Sequence, residues 1–333
     1  MEIREEHQLN PVADEVSAIT AVVGPILTGV LYSLKAEVAA TLGGYDKVQL
    51  HMLARSHRPG DGDAGICFEY AVHDAVRRGE ASVQERVEDA LRLCKIPGSK
   101  QASILFGVEK SGKQQLIDTA HELLTPESRL MSGRVGQPPL LKRHIAAATT
   151  AFRTRGARSR LPQSIDGLWK ADLFLGNSDS DKWVGTTVKI NPTALAGARG
   201  LRIGLVPTSQ GSSDAVRKDE RRDLVICPVP YDGDFVETFY MAWEVVTAFI
   251  HADAQVPKEV ALPRPAARQV ARYLADRRAF PVVDVIEALA GLAQPELLRS
   301  ETSAASLISA GGIDADQLVT SIVAPSPIGL TEK

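Results

Sequence analysis

Cysteine is scarce in this chain. Cys67, Cys94 and Cys227 are the three among 333 residues. They lie too far apart for a Cys-x-x-Cys zinc site or a disulfide framework, which points to a reducing, cytoplasmic home. The seven histidines include no HExxH pair, so a zinc hydrolase is not expected. Positive charge is not in excess either. With a formal net charge of −3 no global field advertises nucleic acid, and a DNA-binding surface has to come from local clusters of Lys and Arg. No internal repeat or low-complexity tract appears. The acidic opening MEIREEHQ lacks the basic region of a secretory signal. One run, Val16 to Leu34, has no charged residue and is long enough to span a bilayer. It also holds Ser17, Thr20, Gly24, Pro25, Thr28, Gly29 and Ser33, and its flank is acidic. The expectation is therefore a soluble protein with no membrane partner, in which this run is a buried helix broken near Gly24-Pro25.

What is present is the composition of a globular core, 44% hydrophobic and 24% charged. Residues 11 to 56 read as helical. The Gly- and Asp-rich stretch from Arg58 to Gly65 predicts a loop. It feeds a helix whose stripe is Phe68, Ala71, Val72, Ala75 and Val76, closed by Gly79. A second helix fits Val83 to Leu93, a strand fits Ala102 to Phe106, and a helix fits Gln114 to Leu124. ADLFLG (Ala171 to Gly176) and WVGTTVKI (Trp183 to Ile190), parted by a polar turn, predict a hairpin. LRIGLVP and LVICPV predict two further strands, with a mobile loop over Thr208 to Asp223 between them, and Phe235 to Ile250 predicts a long buried helix. Pro263 and Pro265 open a helix with Val270, Tyr273 and Leu274 on one face, and the tail PSPIGLTEK is expected to fray. The organisation expected is a helical extension over 1–57, a core over 58–253 and a small helical unit over 254–333. The fold class is α/β, a mixed sheet of four or five strands flanked by helices.

The hairpin carries the chemistry. Asp172 opens one strand, Thr187 and Lys189 sit two apart on the next, and Val188 between them points into the core. A carboxylate beside a Lys suits phosphodiester hydrolysis. The acid holds Mg²⁺ or Mn²⁺ through hard oxygen, the metal acidifies a bound water, and the ammonium orients that water or balances phosphate charge. Glu69, at the border of the apolar stripe of its helix, is the candidate second acid. The bland alternative is a hairpin with a surface Asp and Lys.

The order of these elements resembles the PD-(D/E)XK, or restriction-endonuclease-like, nuclease superfamily over roughly residues 60 to 250. GICFEYAV is similar to the family's acid-bearing helix, KADLFLG to its first motif and TTVKIN to its second. The resemblance implies Asp172 and Glu69 as metal ligands with the Val188 carbonyl, and Lys189 as the catalytic lysine. The position usually acidic is Thr187 here, an auxiliary group at most. That departure also fits a catalytically silent module that binds DNA or protein. The implied activity is metal-dependent DNA cleavage in restriction or bacterial defence, by a homodimer or with a partner subunit.

Lys142, Arg143, Arg153, Arg155, Arg158 and Arg160 form a basic stretch before the hairpin, suited to a phosphate backbone or to a solvated loop. GVEKSGKQ, Gly107 to Gln114, matches G-x-x-x-x-G-K and offers a P-loop-like nucleotide site as a rival. It has Gln114 where Mg²⁺ needs Ser or Thr, and no Walker B strand follows. His73, one turn after Glu69, reads as a half-buried histidine, and Trp169 and Trp183 read as packing residues.

Overall fold

The computed structural model describes residues 11–106, 122–133, 137–153, 171–195, 200–212, 214–231, 235–256 and 262–293. Short apolar runs, joined by two three-residue strands, pair into one seven-stranded mixed sheet. In chain order its strands are β1 (Gln101–Leu105), β2 (Arg129–Met131), β3 (Leu173–Asn177), β4 (Lys182–Val188), β5 (Arg202–Pro207), β6 (Arg217–Asp219) and β7 (Leu224–Val229). They lie in the order β1-β3-β4-β5-β7-β6, with β2 beside β4. Strands β4, β5 and β7 run parallel, and β3 and β4 form the expected antiparallel hairpin. The far side of β4 is shared, because β2 takes Lys182 to Val184 and β5 takes Thr186 to Val188.

The sheet exceeds the four or five strands expected because β2 and β6 are only three residues long, too short to show a strand pattern in sequence, and β6 is wholly charged. For the same reason part of the expected loop over Thr208 to Asp223 is β6, paired antiparallel to β7.

Nine helices are described: α1 (Pro11–Ser33), α2 (Ala36–Thr41), α3 (Leu50–Ser56), α4 (Asp61–Arg78), α5 (Ala81–Leu93), α6 (Leu141–Arg153), α7 (Phe235–His251), α8 (Pro265–Asp276) and α9 (Val282–Leu292). Helix α4 begins earlier than the sequence suggested. The Gly-Asp stretch supplies its cap, with the Asp63 carboxylate accepting from Gly60 N–H at 2.8 Å. Gly79 closes it at φ +71, as expected.

Helix α1 is not broken at Gly24-Pro25 but runs through Pro25. Thr28 and Ser33 hydroxyls donate back to the carbonyls of Gly24 and Gly29, and the helix packs along α4, α7, α8 and α9. That packing outweighs the proline penalty. Its window Glu15–Ser33 is the one described stretch apolar and long enough to cross a membrane, and 56% of it is buried inside the protein. Gly29 marks the closest approach, since a Cβ there would lie 2.9 Å from Cys67 Sγ and 3.0 Å from Cys67 Cα on α4. Residues of α1, α4, α5, α7, α8, α9 and one sheet face form a single main core. The other face carries a smaller core of Phe174, Trp183, Leu141 and Ile145, covered by α6.

The β3–β4 turn is tied to its surroundings. Asp181, at φ +51, accepts from the hydroxyls of Thr125 and Ser128 at 2.8 Å each, and Asp179 accepts from Ser99 N–H at 3.0 Å.

Candidate active site

Strand β3 has an irregular start that aims Asp172. Leu173 pairs with Thr186, and the Asp172 N–H also donates to the Thr186 carbonyl, at 2.8 Å. Ala171 packs in the smaller core while Leu173 packs in the main one, so alternation fails between them. Two residues opposing one, with a change of face, are the marks of a β-bulge. The bulge brings the Asp172 carboxylate to the end of β4. There its Oδ2 accepts from Val188 N–H at 3.0 Å, taking the place of a β3 carbonyl, and from Lys189 Nζ at 2.9 Å.

Glu69 arrives from α4. The close α1–α4 contact at Gly29 and Cys67 fixes the helix, and two residues on, Glu69 places Oε1 3.6 Å from Lys189 Nζ. The side chains of Glu69 and Asp172 are 8% and 15% exposed and that of Lys189 is 33% exposed, so the cluster opens to water on the lysine side. Two carboxylates thus lie beside an opening to water, where their oxygens are hard ligands suited to a cation. Neither Asp172 hydrogen bond described uses Oδ1.

The structure thus brings Asp172, Glu69 and Lys189 together. Val188 is buried in the main core, as expected, and it joins the cluster through its N–H. Thr187 is not brought in. Val184 and Val188 face the main core and Trp183 the smaller one, so alternation puts half-buried Thr187 on the α6 face, across the sheet from Glu69. Lys189 escapes this rule because it lies past the end of β4 and reaches back along a flexible stem. Lys142 and Arg143 begin α6, also across the sheet, and Arg143 is exposed. The side chain of Arg153 and the whole of Arg155, Arg158 and Arg160 lie outside the described residues, as do GVEKSGKQ and Trp169.

Among the described residues no group of three or more His, Cys, Asp or Glu gathers to hold a metal. The available acids are therefore the pair Asp172 and Glu69. Mg²⁺ commonly uses one or two carboxylates and keeps several waters, so this pair fits such an ion.

Two neighbours of Glu69 on α4 are structural. Burial, with Tyr32 and Glu69 nearby, holds the Tyr70 phenol well above its usual range and so protonated. Burial first, then the charge of Arg77, lowers His73 to about 3, and its Nδ1 lies 2.9 Å from Ser103 Oγ in β1. Burial pushes the Cys94 and Cys227 thiols up to about 12, which makes them poor nucleophiles.

Sequence reasoning missed the bulge and the Val188 N–H, neither of which has a residue-type signature. It also missed a cleft of about 400 Å³ at the carboxyl ends of the parallel strands, lined by Ile190, Thr208, Ser209, Gln210, Tyr231 and Tyr240 among others. Ligands of open α/β sheets collect at such ends.

No family model matches the chain, and no curated protein or solved structure matches it.

Proposed function

We propose that this chain is a metal-dependent DNA endonuclease of the PD-(D/E)XK kind, acting in restriction or bacterial defence in the cytoplasm, as a homodimer or with a partner subunit. The observation that carries the reading is the meeting of Asp172 and Glu69 on Lys189 at the end of a β-hairpin. In this reading Asp172 and Glu69 hold Mg²⁺ or Mn²⁺. The ion, when bound, supplies a water of lowered pKa and a positive charge for the phosphate. Val188 N–H fixes the Asp172 carboxylate, and Lys189 orients the attacking water and offsets negative charge building on the phosphate. The 33% exposed lysine is the face from which a DNA strand approaches.

A second reading, a silent module that binds DNA or protein, draws on one observation. Thr187 replaces an acid and lies across the sheet from Glu69.

The deciding experiment incubates the full chain with supercoiled plasmid and linear DNA, with Mg²⁺ or Mn²⁺ or with EDTA, beside Lys189→Ala. The nuclease reading expects nicking or linearisation that needs the metal and falls at least about 100-fold in the variant, the scale of a lost positioned catalytic group. Wild type as inert as the variant on modified and unmodified DNA favours the silent module. Metal-dependent cutting that survives loss of Lys189 places the active site elsewhere.

A further inference from the structure

The cleft at the carboxyl ends of β4, β5 and β7 adjoins the proposed site. Ile190, which lines it, follows Lys189 directly. The Lys189 N–H donates to Leu205 O at 3.0 Å, and Thr208, three residues further along that strand, lines the cleft. At a rise of about 3.3 Å per residue Thr208 lies roughly 10 Å from the Lys189 backbone, so the cleft runs from beside Lys189 to about that distance. That is within the reach of one nucleotide.

Its lining has a definite chemistry. Tyr231 and Tyr240 stack with ring centroids 6.1 Å apart and planes 27° from parallel, forming a two-ring wall. Tyr231 is fixed to the strand ends, since its N–H donates to Thr208 Oγ1 and the Thr208 N–H donates to Val229 O, each at 2.8 Å. Ser209 and Gln210 add a hydroxyl and an amide, both on exposed residues. Among the described residues that line the cleft none is charged, so this lining offers no cation to a phosphate. The guest these groups suit is flat, neutral and edged with hydrogen-bond donors and acceptors.

The geometry points to a nucleobase subsite, in which the base of a nucleotide next to the scissile phosphate lies against Tyr231 and Tyr240 while the phosphate stays at Lys189. This rests on the nuclease reading for the position of the phosphate. A base held in a duplex stack presents no open face to a side chain, so the subsite requires an unpaired or extruded nucleotide. The inferred substrate is therefore DNA carrying a local unstacked base at the cut.

Three labelled duplexes test this without cleavage, in metal-free buffer with the full chain: one fully paired, one with a single bulged thymidine and one with the same bulge made abasic. Fluorescence anisotropy should show the thymidine bulge bound roughly 5- to 150-fold more tightly than the abasic bulge, the range for one base stacked on an aromatic side chain. Tyr231→Leu, which keeps apolar bulk, should erase that ratio while leaving affinity for the paired duplex unchanged. Tyr240→Leu is the second variant should the first not fold. Equal binding of the two bulges by wild type, a ratio that persists in both variants, or no DNA binding at all overturns the inference. Lys189-dependent cleavage with equal binding of the bulges removes the subsite and keeps the nuclease. A thymidine-dependent ratio with an inert Lys189 site keeps the subsite and removes the nuclease.

Discussion

Helix α4 reaches the sheet through two polar side chains one turn apart, and the two seams are built on different terms. At Glu69 the partner is Lys189, the groups are charged, and the far side is open to water. At His73 the partner is Ser103 of β1, both residues are buried, and burial keeps the imidazole neutral. The same helix face therefore carries one charged seam open to water and one buried seam that joins helix to strand. Polarity on a buried face does not by itself mark function. Charge gathered beside an opening is the better sign.

The comparison can be broken at its base. Gly29→Val would force α1 and α4 apart at Cys67, where even a Cβ is too close. Both seams should suffer, with a stability loss of about 1–3 kcal/mol seen as a lower Tm and, on the proposed nuclease reading, a parallel loss of cleavage. An unchanged Tm would mean that α4 is not held by this contact.

The closed seam has its own signature in pH. Because the folded-state pKa of His73, about 3, is below the ordinary 6.5, the unfolded chain takes up the proton first. Its contribution is complete above about pH 6.5 and is lost as pH falls toward 3, by up to about 1.4 kcal/mol per pH unit. Denaturant melts of wild type between pH 7 and 5 should show this slope, and His73→Gln should flatten it. A slope identical in the two proteins would assign the pH dependence to other groups.

Least should happen at Thr187. Thr187→Val removes the hydroxyl and keeps the shape, on the face away from Glu69. Stability should move by no more than about 0.5 kcal/mol, and cleavage, on the proposed nuclease reading, by no more than about twofold in rate. A large loss of cleavage with an intact Tm would make the hydroxyl part of the site after all.

Much of this frame could be read from residue types. Strands β1, β5 and β7 and the β3–β4 hairpin follow from short apolar runs bounded by turn residues, helices α5 and α7 from period-3.6 patterning, and the hairpin puts Asp172 and Lys189 at the same end of the pair. Elements whose cause lies elsewhere in the chain did not show. Pro25 signals a break that only the packing of four other helices on α1 overrules. Strand β6 sits in a run of charge and exists because β7 offers an edge. The bulge at Asp172 depends on register with Thr186, a relation between strands that neither strand states. Tyr231 and Tyr240 sit nine residues apart in sequence, and nothing there says that their rings stack.

The turn between β3 and β4 has one further consequence. A slip of one residue in that hairpin would exchange its two faces and carry Asp172 away from Lys189. The register is held at the opposite end, where Thr125, Ser128 and Ser99 grip Asp181 and Asp179, about 17 Å along the strand from Asp172. Three small hydroxyl residues far from Asp172 and Lys189 therefore calibrate where those two meet, much as the stop at one end of a rule decides what is read at the other.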